Sequence, residues 1–121
     1  MPIQMIPALP DHVVGFIAKG TVERDDYLST IDPAIEAALA DRDKISLLYV
    51  LGADFEGYTA GAMWEDGGLG AKHLTSFDKI AVVADQAWIR HSVNLFGHLI
   101  PAKVKVFTVA EEADASEWVT S

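Results

Sequence analysis

Apolar and polar positions change period several times along this chain, and each change marks an element. "IQMI" (3–6) is a short strand closed by Pro7 and Pro10, and "VVGFIAKG" (13–20) is a second strand ending in Gly20. With "PALPDH" between them, the two read as an antiparallel hairpin. From Thr21 or Glu23 the period becomes helical: Tyr27, Leu28, Ile31, Ala34, Ile35, Ala38 and Leu39 form one stripe opposite Glu23, Arg24, Asp26, Asp32 and Glu36. Pro33 lies inside the stripe and predicts a kink or a restart, because proline has no N–H to donate.

The following run, "ISLLYVLG" (45–52), is almost continuously apolar and branched, which predicts a central strand covered on both faces. Its carboxyl end is expected to open into a loop, "GADFEGY". A glycine-rich helix is expected over 59–74, a buried strand over 79–85 and a helix over 86–100 stopped by Pro101. "KVKVF" (103–107) alternates like an edge strand, and 111–119 reads as a last helix docking through Ala115, Trp118 and Val119. The order β-β-α-β-α-β-α-β-α predicts an α/β fold in one domain over 1–121, a mainly parallel five-stranded sheet with four helices.

Charge and composition narrow the partners. Eighteen acidic and nine basic residues leave a formal charge of −9, so phosphate backbones are repelled and nucleic acid is not an expected partner. The absence of cysteine excludes disulfides, thiol catalysis and thiolate metal sites. The opening "MPIQMIPALP" lacks the basic start and apolar core of a signal peptide, and no run approaches the ~20 apolar residues of a membrane span. The expectation is a cytoplasmic protein.

The polar residues do not assemble into a catalytic motif. His91 and His98, seven apart on one helix, share no HxH or HExxH spacing with His12 or His73, so no metal is expected. Asp54, Glu56, Glu65 and Asp66 are read as solvated loop charge, and the serines lack a nucleophile-elbow context. "GGLGAK" ends in Lys72 without the Ser or Thr of a phosphate loop, and its glycines sit within the helical period. Each costs a helix roughly 0.5–1 kcal/mol relative to alanine. They are read as sites of close approach, and no cofactor is expected.

Three long runs carry a family resemblance: "ERDDYLSTIDPAIEAALADRDKISLLYVLGADFEGY", "MWEDGGLGAKHLTSFDKIAVVAD", and "AWIRHSVNLFGHLIP" with "VKVF" after it. In these the chain resembles the SpoIIAA-like proteins of bacteria, relatives of the STAS domain whose fold is similar to CRAL-TRIO lipid-transfer domains. The resemblance implies a STAS-like sheet wound with four β–α units, a crevice beside it and frequent homodimers. Antagonists of anti-sigma factors with this fold carry Asp-Ser-Ser-Gly-Leu-Gly, in which a serine is phosphorylated. This chain reads Glu65-Asp66-Gly67-Gly68-Leu69-Gly70, with neither serine, and Gly68 lies 16 positions beyond Gly52. A serine switch is disfavoured unless Thr59 takes the role; Thr59 otherwise reads as a helix N-cap.

Surplus apolar surface is the stronger functional signal. Open α/β sheets bind ligands at the carboxyl ends of their strands, where Phe55 and Tyr58 fall, with Met63 and Trp64 just after. Helix 86–100 carries two adjacent apolar stripes, 88/92/95/99 and 89/93/96/100, and the sheet can bury one of them. The resulting expectation is a noncatalytic module that holds an apolar small molecule or lipid, lined by Phe55, Tyr58, Met63, Trp64, Trp88 and Phe96. A regulatory protein-interaction module without the serine is the alternative. A homodimer through helix 86–100 and a peripheral membrane contact are compatible with either.

Overall fold

The computed structural model describes residues 3–59, 61 and 75–121. Five strands lie side by side in sequence order: β1 (Ile3–Met5), β2 (Val13–Val22), β3 (Ile45–Tyr58), β4 (Phe77–Ala84) and β5 (Lys103–Phe107). β1 pairs antiparallel with β2, as the hairpin pattern predicts, and every other pair is parallel. β3 is the central strand, and from Ile45 to Leu51 each residue except half-buried Leu47 is buried. Because the strands advance in one direction, right-handed crossovers place the helical β2–β3 and β4–β5 connections on one face of the sheet.

Alternation along the strands sorts the core into two layers. Val14, Phe16, Ala18, Tyr49, Leu51, Val82 and Ala84 face one way, together with Tyr27, Ile31, Ile35 and Ile89 of the crossover helices. Val13, Leu48, Val50, Ala81 and Val83 face the other way, against Ala115 and Val119 of the last helix. Half-buried Ile6 and Leu9, from the β1–β2 connection, pack on this second layer. That connection is seated on Gly15, whose carbonyl accepts the Ile6 N–H at 2.9 Å. A Cβ at position 15 would come within 2.6 Å of Leu9 Cδ1 and 3.1 Å of Ile6 Cβ, so the strand needs a glycine there. Gly15→Ala is expected to cost about 1–3 kcal/mol by overpacking, read as a lower urea midpoint at an unchanged slope.

The first helix, α1, is continuous over Arg24–Asp26, Tyr27–Ile31 and Asp32–Leu39. Its extended N-cap, Glu23, donates its N–H to Asp26 Oδ2 at 2.7 Å. The middle segment is a π-turn, in which the Asp32 N–H reaches back five residues to the Tyr27 carbonyl. Pro33 explains it: proline cannot donate to Ser29 and its ring crowds that carbonyl, so the turn ahead of it widens instead of breaking. Widening also shifts the phase of the stripe. Tyr27, Ile31 and Ile35 are buried four apart, whereas Leu28, expected in the stripe, is 46% exposed.

α2 runs Ala87–Phe96 and closes with a tighter turn, Gly97–Leu99, ahead of Pro101. Gly97 lets this end approach β5, since a Cβ there would lie 3.1 Å from Val104 Cβ. A turn at Val109–Glu111 leads into α3 (Glu112–Thr120), whose Ala115 and Val119 are fully buried. Of the glycine-rich helix expected over 59–74, residues 60 and 62–74 lie outside the described residues.

The segment "GADFEGY" is a correction to the sequence reading. Expected as a loop, it continues β3 to Tyr58. β2 runs on as well, so Gly20, Thr21 and Val22 pair with Phe55, Gly57 and Tyr58 across two register shifts. Gly20 at φ +64° and Gly57 at φ +142° supply backbone that other residues rarely adopt, which lets the ladder absorb the shifts. Gly20 and Gly52, read as strand ends, lie inside β2 and β3. β4 does not follow: its last pair is Leu51 with Ala84.

Candidate functional site

Past Ala84 the central strand has β2 on one side and no β4 on the other, and the start of α2 fills this corner. The chain turns at Asp85 and Gln86, and the extended Gln86 becomes the N-cap of α2. Its Nε2 donates to the Gly52 carbonyl at 3.4 Å, just where pairing with β4 has stopped. One turn on, Arg90 donates through a guanidinium N–H to the Ala84 carbonyl at 3.0 Å. These two bonds fix the first turn of α2 to the carboxyl ends of β3 and β4.

The turn thus held carries Trp88 to Phe55. Their ring centroids lie 6.5 Å apart with planes 31° from parallel, within the separation at which aromatic pairs attract. Phe55 is 6% exposed and Trp88 is 54% exposed, so the pair has a buried floor and an open outer ring. Gln86 Oε1 beside it is buried and has no hydrogen-bond donor among the described residues. A buried acceptor without a donor costs free energy unless something supplies an N–H or O–H. Gln86 was not singled out from the sequence; the signal available was a polar residue at a helix start, directly ahead of an aromatic.

Of the six residues expected to line a crevice, the structure brings Phe55 and Trp88 together. Tyr58 ends β3, opposite Val22, and Phe96 ends α2; both are placed by their backbones. Met63 and Trp64 lie outside the described residues, as do Glu65, Asp66, Lys72 and His73. The two stripes of α2 divide as expected. Ile89 is buried and Val93 and Ile100 pack on the core, whereas Trp88, Leu95 and Leu99 are 54%, 58% and 73% exposed.

Polar residues considered for chemistry are spread apart. Glu56 lies on the β3 extension, accepting from Thr21 Oγ1 at 3.5 Å, and His91 and His98 are exposed on α2 and its last turn. Among the described residues no group of three His, Asp or Glu side chains is placed to hold a metal ion. No described helix is long and apolar enough to cross a membrane.

A second concavity, an open groove of about 530 Å³, lies at the β5 edge on the α3 side. Lys105, Phe107, Glu111, Asp114, Glu117 and Trp118 line it, so its walls carry both signs of charge. Lys79 and Lys105 approach the Trp118 ring to 5.6 and 5.9 Å, and Lys79 Nζ also donates to the Trp118 carbonyl at 3.2 Å. These are the contacts of a docked C-terminal helix.

Glu111 closes the entry to that helix. Its Oε1 accepts from the Thr108 N–H at 2.8 Å and from Thr108 Oγ1 at 3.0 Å. Chiefly the backbone N–H, then the hydroxyl, and more weakly the charges of Arg90 and Lys105 hold its carboxyl below the ordinary 4.5. A depressed carboxyl pKa stabilises the fold above the unfolded value, and that contribution is lost as pH falls through the folded value. Glu111 is expected to titrate below 4.5 by carboxyl NMR, and Glu111→Gln should remove this component of acid sensitivity.

Taken together, these elements define a mixed α/β domain with a mainly parallel five-stranded sheet and helices on both faces. A solved structure of the same architecture is an uncharacterized protein of the DUF3478 family from Shewanella loihica PV-4, described as having a SpoIIAA-like fold. The likeness has a TM-score of 0.79 at 25% identity and covers 97% of this chain and 91% of that one. The chain belongs to the SpoIIAA-like family, whose model matches residues 13–120. No curated protein matches it.

Proposed function

We propose that this protein is a noncatalytic binding module that holds an apolar small molecule or lipid at the carboxyl edge of its sheet. The observation that carries this reading is the Phe55–Trp88 pair, buried at its base and open at its outer ring, where β4 has stopped and α2 begins. Apolar surface at the carboxyl ends of parallel strands is where open α/β sheets take ligands.

Trp88 is both a lining residue and a reporter. Titration with a long-chain alcohol is expected to shift its emission to shorter wavelength as the ring leaves water. Trp88→Ala, at a half-exposed position, should keep the fold by circular dichroism and lose most of the binding. Equal affinity in the two proteins would remove the aromatic pair from the site.

The alternative, a regulatory protein-interaction module without a phosphorylated serine, is favoured by a different observation. The exposed apolar positions do not close around one point but follow α2 through Leu95 to Leu99. Retention of a stable protein complex by the wild type and its loss in Leu99→Ser would support that reading.

A further inference from the structure

Of the two edges of the sheet, β5 is the one with a groove beside it. The strand pairs with β4 over its whole length, Lys103–Phe107, and among the described residues no strand lies on its other side. Every second residue of an edge strand turns its N–H and C=O outward, which makes the edge a template for another strand. Among the described residues, no loop or side chain takes up the backbone groups of 103–107.

The wall above this edge is one stripe of α3 and its entry turn. Glu111, Asp114, Trp118 and Ser121 follow one another at helical spacings of three and four. The stripe is about 15 Å long at 1.5 Å per residue. Extended backbone at about 3.3 Å per residue brings β5 to nearly the same length. The groove is thus one short strand long. Lysines commonly guard a sheet edge, but Lys105 is laid along the groove floor, its Nζ 5.2 Å from the Phe107 ring and 5.9 Å from the Trp118 ring.

Charge and pattern choose the occupant. Glu111 is committed to Thr108. The exposed carboxylates of Asp114 and Glu117 have no hydrogen-bond or ion-pair partner among the described residues. Lying three apart on a helix, they are about 5–6 Å from each other at Cβ, and side chains on one face of a strand recur every ~6.5–7 Å. An added strand with basic residues at alternate positions therefore sets a cation near each carboxylate. Its intervening residues fall on the opposite face, in a row with half-buried Val104 and Val106, where apolar side chains fit. We propose that the open edge of β5 takes an extended segment of a partner protein as an added strand, one that alternates basic and apolar residues. The chain's charge of −9 draws such a segment in. The site shares no residue with the Phe55–Trp88 corner, so either can fail without the other.

Two labelled peptides of equal charge test this, one alternating lysine with valine and the other lysine with proline, each extending one residue past β5 at either end. Proline keeps the charge and removes N–H donors from the ladder. The valine peptide should change fluorescence anisotropy saturably and shift the amide resonances of 103–107 and 112–118. The proline peptide should bind at least about tenfold more weakly. Asp114→Asn with Glu117→Gln should weaken the valine peptide about fivefold, the effect of two exposed ion pairs. Asp41→Asn with Asp43→Asn, an equal change of charge at exposed positions between α1 and β3, should leave its affinity unchanged at physiological ionic strength. No saturable binding would overturn the proposal. So would equal affinity for the two peptides, or equal weakening by the two pairs of substitutions, since either means attraction to an acidic surface and not to this edge. Amide shifts over 103–107 that grow with the concentration of the protein alone would also overturn it, giving the edge to a second copy of the chain.

Discussion

Phe16→Ala should destabilise the protein by about 3–5 kcal/mol, the usual cost of deleting a buried aromatic ring. Phe16 is 0% exposed in the middle of β2, and it pairs in register with Tyr49 of the central strand. Their rings lie 6.3 Å apart and tilted by 57°. The layer around them also contains Tyr27, Ile31 and Ile35, so the cavity would open between the sheet and α1. Domains of this size are stable by only about 5–15 kcal/mol. The variant is expected to unfold at a much lower urea concentration, and a loss below about 1 kcal/mol would mean that Phe16 is not central to this layer.

Val119→Asp should be comparably damaging on the opposite face. Val119 is 0% exposed and belongs with Ala81, Val83 and Leu48 in the layer beneath α3. An aspartate there must bury a carboxylate in an apolar layer or be protonated, at a cost of several kcal/mol either way. Because α3 packs on this layer alone, release of the helix is the cheapest response. Amide exchange should rise over 112–120 first, with β2 and β3 still protected. Uniform loss of protection would show instead that the two layers unfold together.

The two layers were legible in the sequence because strand alternation and helix period are set by the same residues that fill the core. The apolar runs "VVGFIA" and "ISLLYVL" marked the strands that became β2 and β3, and the two stripes of α2 divided into core and surface as expected. What was not legible depended on pairing between distant segments. Nothing local in "GADFEGY" says that it is a strand; it becomes one because β2 continues past Gly20 to meet it. The exposure of Leu28 likewise follows from the π-turn that Pro33 imposes, which an ideal 3.6-residue wheel does not contain.

For the candidate site the division is similar. Phe55 was chosen by the general rule that ligands gather at the carboxyl ends of parallel strands and Trp88 by the surplus apolar stripe of its helix, and the fold brings the two rings to 6.5 Å. Gln86 escaped notice because its role comes from two strands of unequal length. β4 stops at Ala84, the Gly52 carbonyl is left without a strand partner, and a side chain at the start of α2 takes it.

Native mass spectrometry of the purified protein, followed by organic extraction, tests the central proposal most directly. The expected result is an adduct of one apolar molecule per chain that survives gentle ionisation, is lost on denaturation, and is recovered in the organic phase. A protein that emerges at its bare mass, and stays so after incubation with a long-chain alcohol, would contradict it.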